Sequence, residues 1–188
     1  MIHEEANMKA TEEAVQAAGQ GPFTAERIEA EISCRLPEAA RANGAPEIVF
    51  IMGPVCAGKT SLRRARYSRG LVLVDAAQLF IDLGGIDMDF PSALEEPMER
   101  IGAEVARRAL AQGMSIVTEI VGAKFEPVKD LADAMQAAGY KVDFEFVHAD
   151  LPECLERERG RTMDNVSSYY AEKYQMKWLL DAARMRTQ

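Results

Sequence analysis

The sequence predicts an α/β fold: a mostly parallel sheet with helices on both faces. Three observations carry that reading. Continuous apolar runs, Ile48-Val49-Phe50-Ile51-Met52, Leu71-Val72-Leu73-Val74 and Met114-Ser115-Ile116-Val117, have the composition of strands buried on both sides. Between and after them lie segments with apolar residues at helical spacing. Strand and helix alternate along the chain, and short connections with right-handed crossovers turn that order into a parallel sheet. A length of 188 residues suits one such domain with an extension.

Residues 1–20 are polar, Ala-rich and acidic, and Gly19-Gln20-Gly21-Pro22 breaks any helix they form, so a frayed segment is expected. Thr24, followed by Ile28, Ile32 and Leu36 at intervals of four, predicts a helix that Asn43-Gly44-Ala45-Pro46 ends. Residues 1–45 are thus expected as an acidic helical N-terminal extension, and residues 46–188 as the main domain. Within that domain, residues 97–112 place Met98, Ile101, Val105 and Ala109 on one stripe closed by Gly113. Val128, Leu131, Met135 and Ala138 form another, closed by Gly139. Tyr140-Lys141-Val142-Asp143-Phe144-Glu145-Phe146 alternates apolar with charged residues, the pattern of an edge strand. Residues 150–160 and 167–185 read as helices, Asp150 and Glu153 forming a capping box for the first. No fifth strand is visible.

The formal net charge is −8, and it is unevenly spread. Seven acids against Lys9 and Arg27 give residues 1–31 a local −5, whereas residues 53–74 carry Lys59, Arg63, Arg64, Arg66 and Arg69 with no acid. The average argues against a protein that coats nucleic acid or an anionic membrane, both of which demand a positive face. The basic segment is built to meet negative charge. Cys34, Cys56 and Cys154 have no paired spacing and read as free thiols of a reducing compartment. Without a signal-peptide pattern or a run of ~20 apolar residues, a cytoplasmic protein is expected.

The basic segment opens on Gly53-Pro54-Val55-Cys56-Ala57-Gly58-Lys59-Thr60, a full GxxxxGK[ST] motif between a buried strand and a helix starting near Ser61. The glycines let successive backbone N–H groups turn toward phosphate oxygens, and the helix N-terminus adds its positive dipole. Lys59 reaches the β- and γ-phosphates of a nucleotide in such a loop, and the Thr60 hydroxyl ligates Mg²⁺. Residues 53–61, Ser61 included, are the expected nucleotide site, with ATP and Mg²⁺ as the expected cofactors. Cys56, near a helix N-terminus and Lys59, reads either as a redox-sensitive thiol or as a small loop filler.

Two acids end strands, where open α/β sheets bind ligands. Asp75 follows Leu71-Val72-Leu73-Val74 and is the candidate base for an acceptor hydroxyl, or else the N-cap of the next helix. Glu119 follows Ser115-Ile116-Val117-Thr118 and either holds substrate or a Mg²⁺-bound water, or merely closes the strand. In Leu155-Glu156-Arg157-Glu158-Arg159-Gly160-Arg161, Arg157 and Arg161 share a helix face and suit transition-state charge stabilisation. A solvated face paired with Glu153, Glu156 and Glu158 is the alternative. Asp87 and Asp89, in the loop-like stretch 82–90, are expected to line the acceptor pocket and to favour a hydroxylated or cationic acceptor.

Over about residues 47–162 the chain resembles small P-loop kinases of nucleoside monophosphate kinase architecture, and most of all the zeta-toxin-like family. The resemblance rests on Gly53 to Thr60 with Ser61-Leu62-Arg63, on Asp75, Glu119 and Gly139-Tyr140, and on the arginine helix behind Asp150. It implies a three-layer fold with a four- to five-stranded sheet of core order 2-3-1-4 and a LID-like helix around residues 151–162. It also implies phosphorylation of a sugar hydroxyl on a nucleotide sugar, with Asp75 as base, Arg157 and Arg161 as LID arginines and Glu119 on the substrate. Ile120 stands where the family commonly has Thr. The expected function is an ATP- and Mg²⁺-dependent kinase acting on a small hydroxyl-bearing molecule, with room for a protein inhibitor of antitoxin type. The alternatives are a polynucleotide 5′-kinase, drawing on Arg63, Arg64, Arg66 and Arg69, and a nucleotide-binding interaction module without transferase activity.

Overall fold

Side-chain alternation along β1 (Glu47–Met52) organises the molecule. Ile48 and Phe50 enter one core cluster, while Val49 and Ile51 enter another on the opposite face. All four are buried, as a strand covered on both sides requires. In the computed structural model, which describes residues 23–84, 92–159 and 168–188, β1 pairs in parallel with β3 (Ile116–Ile120) and with β4 (Lys141–Phe146). β2 (Val72–Leu73) pairs in parallel with β3. The sheet order among the described residues is β2-β3-β1-β4, as the family resemblance implied. The fold is α/β with helices on both faces of an all-parallel sheet.

The larger cluster lies under α1 (Ala25–Cys34), α3 (Ala76–Asp82), α4 (Ser92–Ala111), α5 (Phe125–Ala137) and α7 (Ser168–Thr187). The smaller one, Val49, Ile51 and Val117, is covered by Leu62 of α2 (Lys59–Arg66) and by Tyr67 just beyond it. A last helix, α6 (Leu151–Arg159), follows β4. Trp178 of α7 lies flat on Gly102 of α4, where even a Cβ would overlap its ring. Phe50 and its register partner Phe144 stack at 5.2 Å, extending the core to the edge strand. On the other face of that strand, the Tyr67 hydroxyl donates to Glu145 at 2.7 Å, so the alternating charge of β4 is put to structural use.

Several boundaries differ from the sequence reading; the run 71–74, for one, is a strand only over Val72–Leu73. The Thr24-capped helix stops at Cys34 rather than running to Asn43. Pro37 is the reason: a residue preceding proline is pushed out of the α region, so Leu36 packs on the core from outside the helix and Pro37 leads a 3-10 turn, Glu38–Ala40. Helix α4 begins at Ser92 rather than Pro97, so Pro97 lies inside it, past the first turn, and removes one backbone hydrogen-bond donor there. The third strand covers Ile116–Ile120 rather than starting at Met114. Its polar residues Thr118 and Glu119 are extended because partners elsewhere in the fold satisfy them. Ile28 and Ile32 of the N-terminal region are core residues, while residues 1–22 lie outside the described structure.

Candidate active site

The loop after β1 turns hard against the end of β4. A Cβ on Gly53 would collide with the Val147 carbonyl oxygen, so the approach requires glycine. Gly58 has φ +100°, a left-handed conformation that glycine adopts without strain, and it leads into α2 with no side chain capping the helix. The start of α2 thus turns the positive end of its dipole toward the loop. Cys56 is held at φ +63°, an uncommon conformation for a residue with a side chain. Lys59 is 6% exposed, and its ammonium donates to the carbonyl oxygens of Gly53 and Pro54, both at 2.9 Å. The positive charge is thus folded over the loop that would wrap a phosphate.

Parity along the strands decides what faces this loop. Glu119 lies on the same side of β3 as Val117, which packs toward α2. On α2, Thr60 and Arg63 are three residues apart and share one face. The Thr60 hydroxyl donates to Glu119 Oε2 at 2.8 Å, and Arg63 Nε donates to Glu119 Oε1 at 2.5 Å. The Arg63 and Glu119 side chains are 10% and 8% exposed, so the ion pair is largely withdrawn from water.

Asp75, two residues beyond β2 in extended backbone, caps α3 and accepts the Gln78 N–H at 3.0 Å. The capping alternative is therefore realised. Burial, with the Glu119 charge as a second cause, pushes the Asp75 carboxyl up to about 6; the Gln78 N–H and Arg63 pull the other way. A carboxyl poised near neutrality at a strand end is equipped to exchange a proton.

The arginine helix reaches the same place. Arg157 Nη1 donates to the Cys56 carbonyl at 3.2 Å, while Nη2 pairs with Glu153 at 2.5 Å. The intrahelical pairing expected of a solvated face is present for Arg157, which also contacts the loop. A cleft of about 620 Å³ is lined by residues 56–61, Glu119 and Arg157. The structure therefore brings Lys59, Thr60, Glu119 and Arg157 together, with Asp75 at the neighbouring strand end. Arg161, Asp87 and Asp89 fall outside the described residues. Among the described residues no three His, Cys, Asp or Glu side chains gather as a metal-binding group. A divalent cation would instead be held by Thr60, beside Glu119, and by the phosphates it accompanies, the usual manner for Mg²⁺.

Sequence reasoning missed three contributors. Arg63 was one of several arginines in a basic stretch, with no local mark to single it out as the partner of Glu119. Gln175 of α7 is 1% exposed; it accepts the Ala76 N–H at 2.9 Å and donates to Thr118 Oγ1 at 3.0 Å and to the Glu119 carbonyl. Glu172, one turn earlier, accepts the N–H groups of Val121 and Gly122 at 2.7 and 3.3 Å. The only available signal for Gln175 was a polar residue beside Trp178 and Leu179 on an apolar face.

No protein-family model matches the sequence, and neither does any curated protein at a significant level. Solved structures do. A chain from the PezAT chromosomal toxin–antitoxin system of Streptococcus pneumoniae aligns at 16% identity with a TM-score of 0.50, over 73% of this chain and 62% of that one. A chain of the Pnkp1/Rnl/Hen1 RNA repair complex aligns at 14% identity with a TM-score of 0.51, over 79% of this chain and 49% of that one. This chain thus spans only about half to three-fifths of the lengths it matches. At such identities the likeness is one of fold alone, an α/β architecture with an all-parallel sheet between helices. Among the described residues no helix is long and apolar enough to cross a membrane.

Proposed function

We propose that this chain is an ATP- and Mg²⁺-dependent phosphotransferase that moves the γ-phosphate to a hydroxyl of a small molecule. The observation that supports it most is the meeting of Lys59, Thr60, Glu119 and Arg157 in one cleft; Asp75, its carboxyl pushed up to about 6, stands at the adjacent strand end outside that lining. The uncapped N–H groups of α2 and the Lys59 ammonium form a cradle for phosphate oxygens. The Thr60 hydroxyl, already anchored on Glu119, offers the oxygen a hard cation takes. When bound, Mg²⁺ supplies neutralisation of charge on the phosphate oxygens.

Asp75 takes the proton of the acceptor hydroxyl as that oxygen bonds to the γ-phosphorus. The bond from phosphorus to the bridging oxygen breaks, and ADP leaves with the electron pair. Lys59 and Arg157 face the negative charge that spreads over the transferring group, with Arg161 assigned the same role from its spacing. The N-cap bond from Gln78 holds the Asp75 carboxylate at the start of α3. Glu119 holds Thr60 and Arg63 in place and contacts the acceptor, together with Asp87 and Asp89. A nucleotide sugar is the acceptor class the resemblance suggests.

A polynucleotide 5′-end is the second reading, supported by Arg64 and Arg69, which are exposed and belong to a segment without acids. The test is incubation with γ-labelled ATP and a metabolite extract, followed by identification of the labelled product, beside the same assay with a single-stranded oligonucleotide. A labelled small molecule, lost in Asp75→Asn while nucleotide binding persists, is the expected result. Transfer that survives Asp75→Asn removes the base assignment. Labelling of the oligonucleotide alone, with strongly salt-dependent binding, selects the second reading.

A further inference from the structure

Helix α7 lies behind the sheet, away from the nucleotide cleft, yet one of its side chains touches both ends of the site. Gln175 Oε1 accepts the N–H of Ala76, the residue after Asp75; Gln175 Nε2 donates to the Glu119 carbonyl and to Thr118 Oγ1. The orientation of this amide is forced. A backbone N–H can only donate and a carbonyl can only accept, so Oε1 must face Ala76 and Nε2 must face Glu119. Every polar atom of the side chain is thereby used at 1% exposure, which removes the cost of burying it.

An apolar residue here would fill the same space but leave the buried Ala76 N–H without its acceptor. What an amide adds is direction: it links the start of α3, which Asp75 caps, to the end of β3, which carries Glu119. β2 is only two residues long and ends before Asp75, so the sheet ladder alone ties that acid loosely. Glu172 strengthens the same grip by holding the N–H groups just beyond β3.

We infer that Gln175 is a positioning residue, its amide setting the separation and orientation of Asp75 and Glu119 across the acceptor side of the cleft. The role as stated rests on Asp75 being the base. Gln175→Leu keeps the volume and removes all three hydrogen bonds. Leu179→Ala, a fully buried apolar truncation on the same helix, is the structural control. Two measurements are made on each intact variant. The first is the titration of the Asp75 carboxyl by carbon-13 NMR, Glu119 and Arg63 being the charged groups that act on it. The second is phosphate transfer from labelled ATP against affinity for a Mg²⁺-bound non-hydrolysable ATP analogue.

In Gln175→Leu the Asp75 midpoint falls toward the ordinary carboxylate range, as the strand ends part and water reaches the group. Transfer drops by roughly tenfold to a hundredfold while nucleotide affinity stays within about threefold, the signature of lost geometry rather than lost binding. Leu179→Ala lowers stability and moves neither readout. An unchanged midpoint and unchanged transfer in Gln175→Leu, with stability lowered as in the control, would overturn the inference. Should the leucine variant not fold, Gln175→Asn, which keeps an amide but shortens its reach, is titrated in its place. A wild-type chain that transfers no phosphate overturns the proposed function instead, and the titration still decides what Gln175 does.

Discussion

Asp75 and Glu119 end neighbouring strands in matching register: Leu73 pairs with Val117, and each acid lies two residues further on. The Glu119 charge opposes ionisation of Asp75, adding to the effect of burial, and Asp75 titrates at about 6.

That value makes folding stability depend on pH in a defined direction. Asp75 at about 6 lies above its unfolded value near 4. Between those limits the folded state holds a proton the unfolded chain has released, so stability from this group is present at low pH and declines as pH rises through the window. Asn caps a helix as well as Asp and does not titrate. Asp75→Asn is therefore expected to match wild type near pH 4 and to exceed it above pH 6, by up to about 3 kcal/mol. Urea unfolding at pH 4 and pH 8 measures this; a difference that does not change with pH would refute it.

The buried Arg63–Glu119 pair makes a separate prediction. Glu119→Ala leaves the Arg63 charge largely out of water without a partner, and should cost roughly 3 to 5 kcal/mol. Arg63→Met combined with Glu119→Leu removes both charges and should recover most of that loss. A double-mutant cycle by chemical denaturation reads the coupling. Additive losses would show that the pair is not energetically linked.

Lys59 and Arg157 should fail in different ways. Lys59 is folded onto the loop carbonyls beneath the phosphate position, and Lys59→Met is expected to weaken ATP binding by roughly tenfold to a hundredfold. Arg157 holds the loop by one bond, to the Cys56 carbonyl. Arg157→Ala should leave ATP affinity within about tenfold while slowing transfer by ~10³ or more. Calorimetry with a slowly hydrolysed ATP analogue, run beside the labelled-phosphate assay, separates the two. Equal losses of affinity in both variants would contradict the division of roles.

Gly102 tests the packing of α7. Alanine is the better helix former by nearly 1 kcal/mol, so Gly102→Ala on an open helix would stabilise. Here a methyl group meets the Trp178 ring, and the net effect should be a loss of about 1–3 kcal/mol, seen as a melting temperature lower by several degrees. A raised melting temperature would show that Trp178 moves aside freely.

The strand order came with the family resemblance; the buried strands, the parallel sheet and the GxxxxGK[ST] motif were legible in the sequence by itself. Each is written locally: in apolar runs, in strand–helix alternation, and in eight consecutive residues whose chemistry needs no distant partner. Edge placement of β4 was readable from its alternating charge for the same reason. Element ends were less so, because a single proline, Pro37 or Pro97, acts according to its depth in a helix that the pattern does not reveal. The tertiary structure alone decided which polar groups share the site. Arg63 meets Glu119 across 56 positions of chain, and Gln175 meets Ala76 across 99. Such pairs form because strand parity and helix phase, fixed by packing, turn particular side chains toward one another. No local pattern records that geometry, which is why Asp75 was visible as a candidate base while the groups that tune and hold it were not.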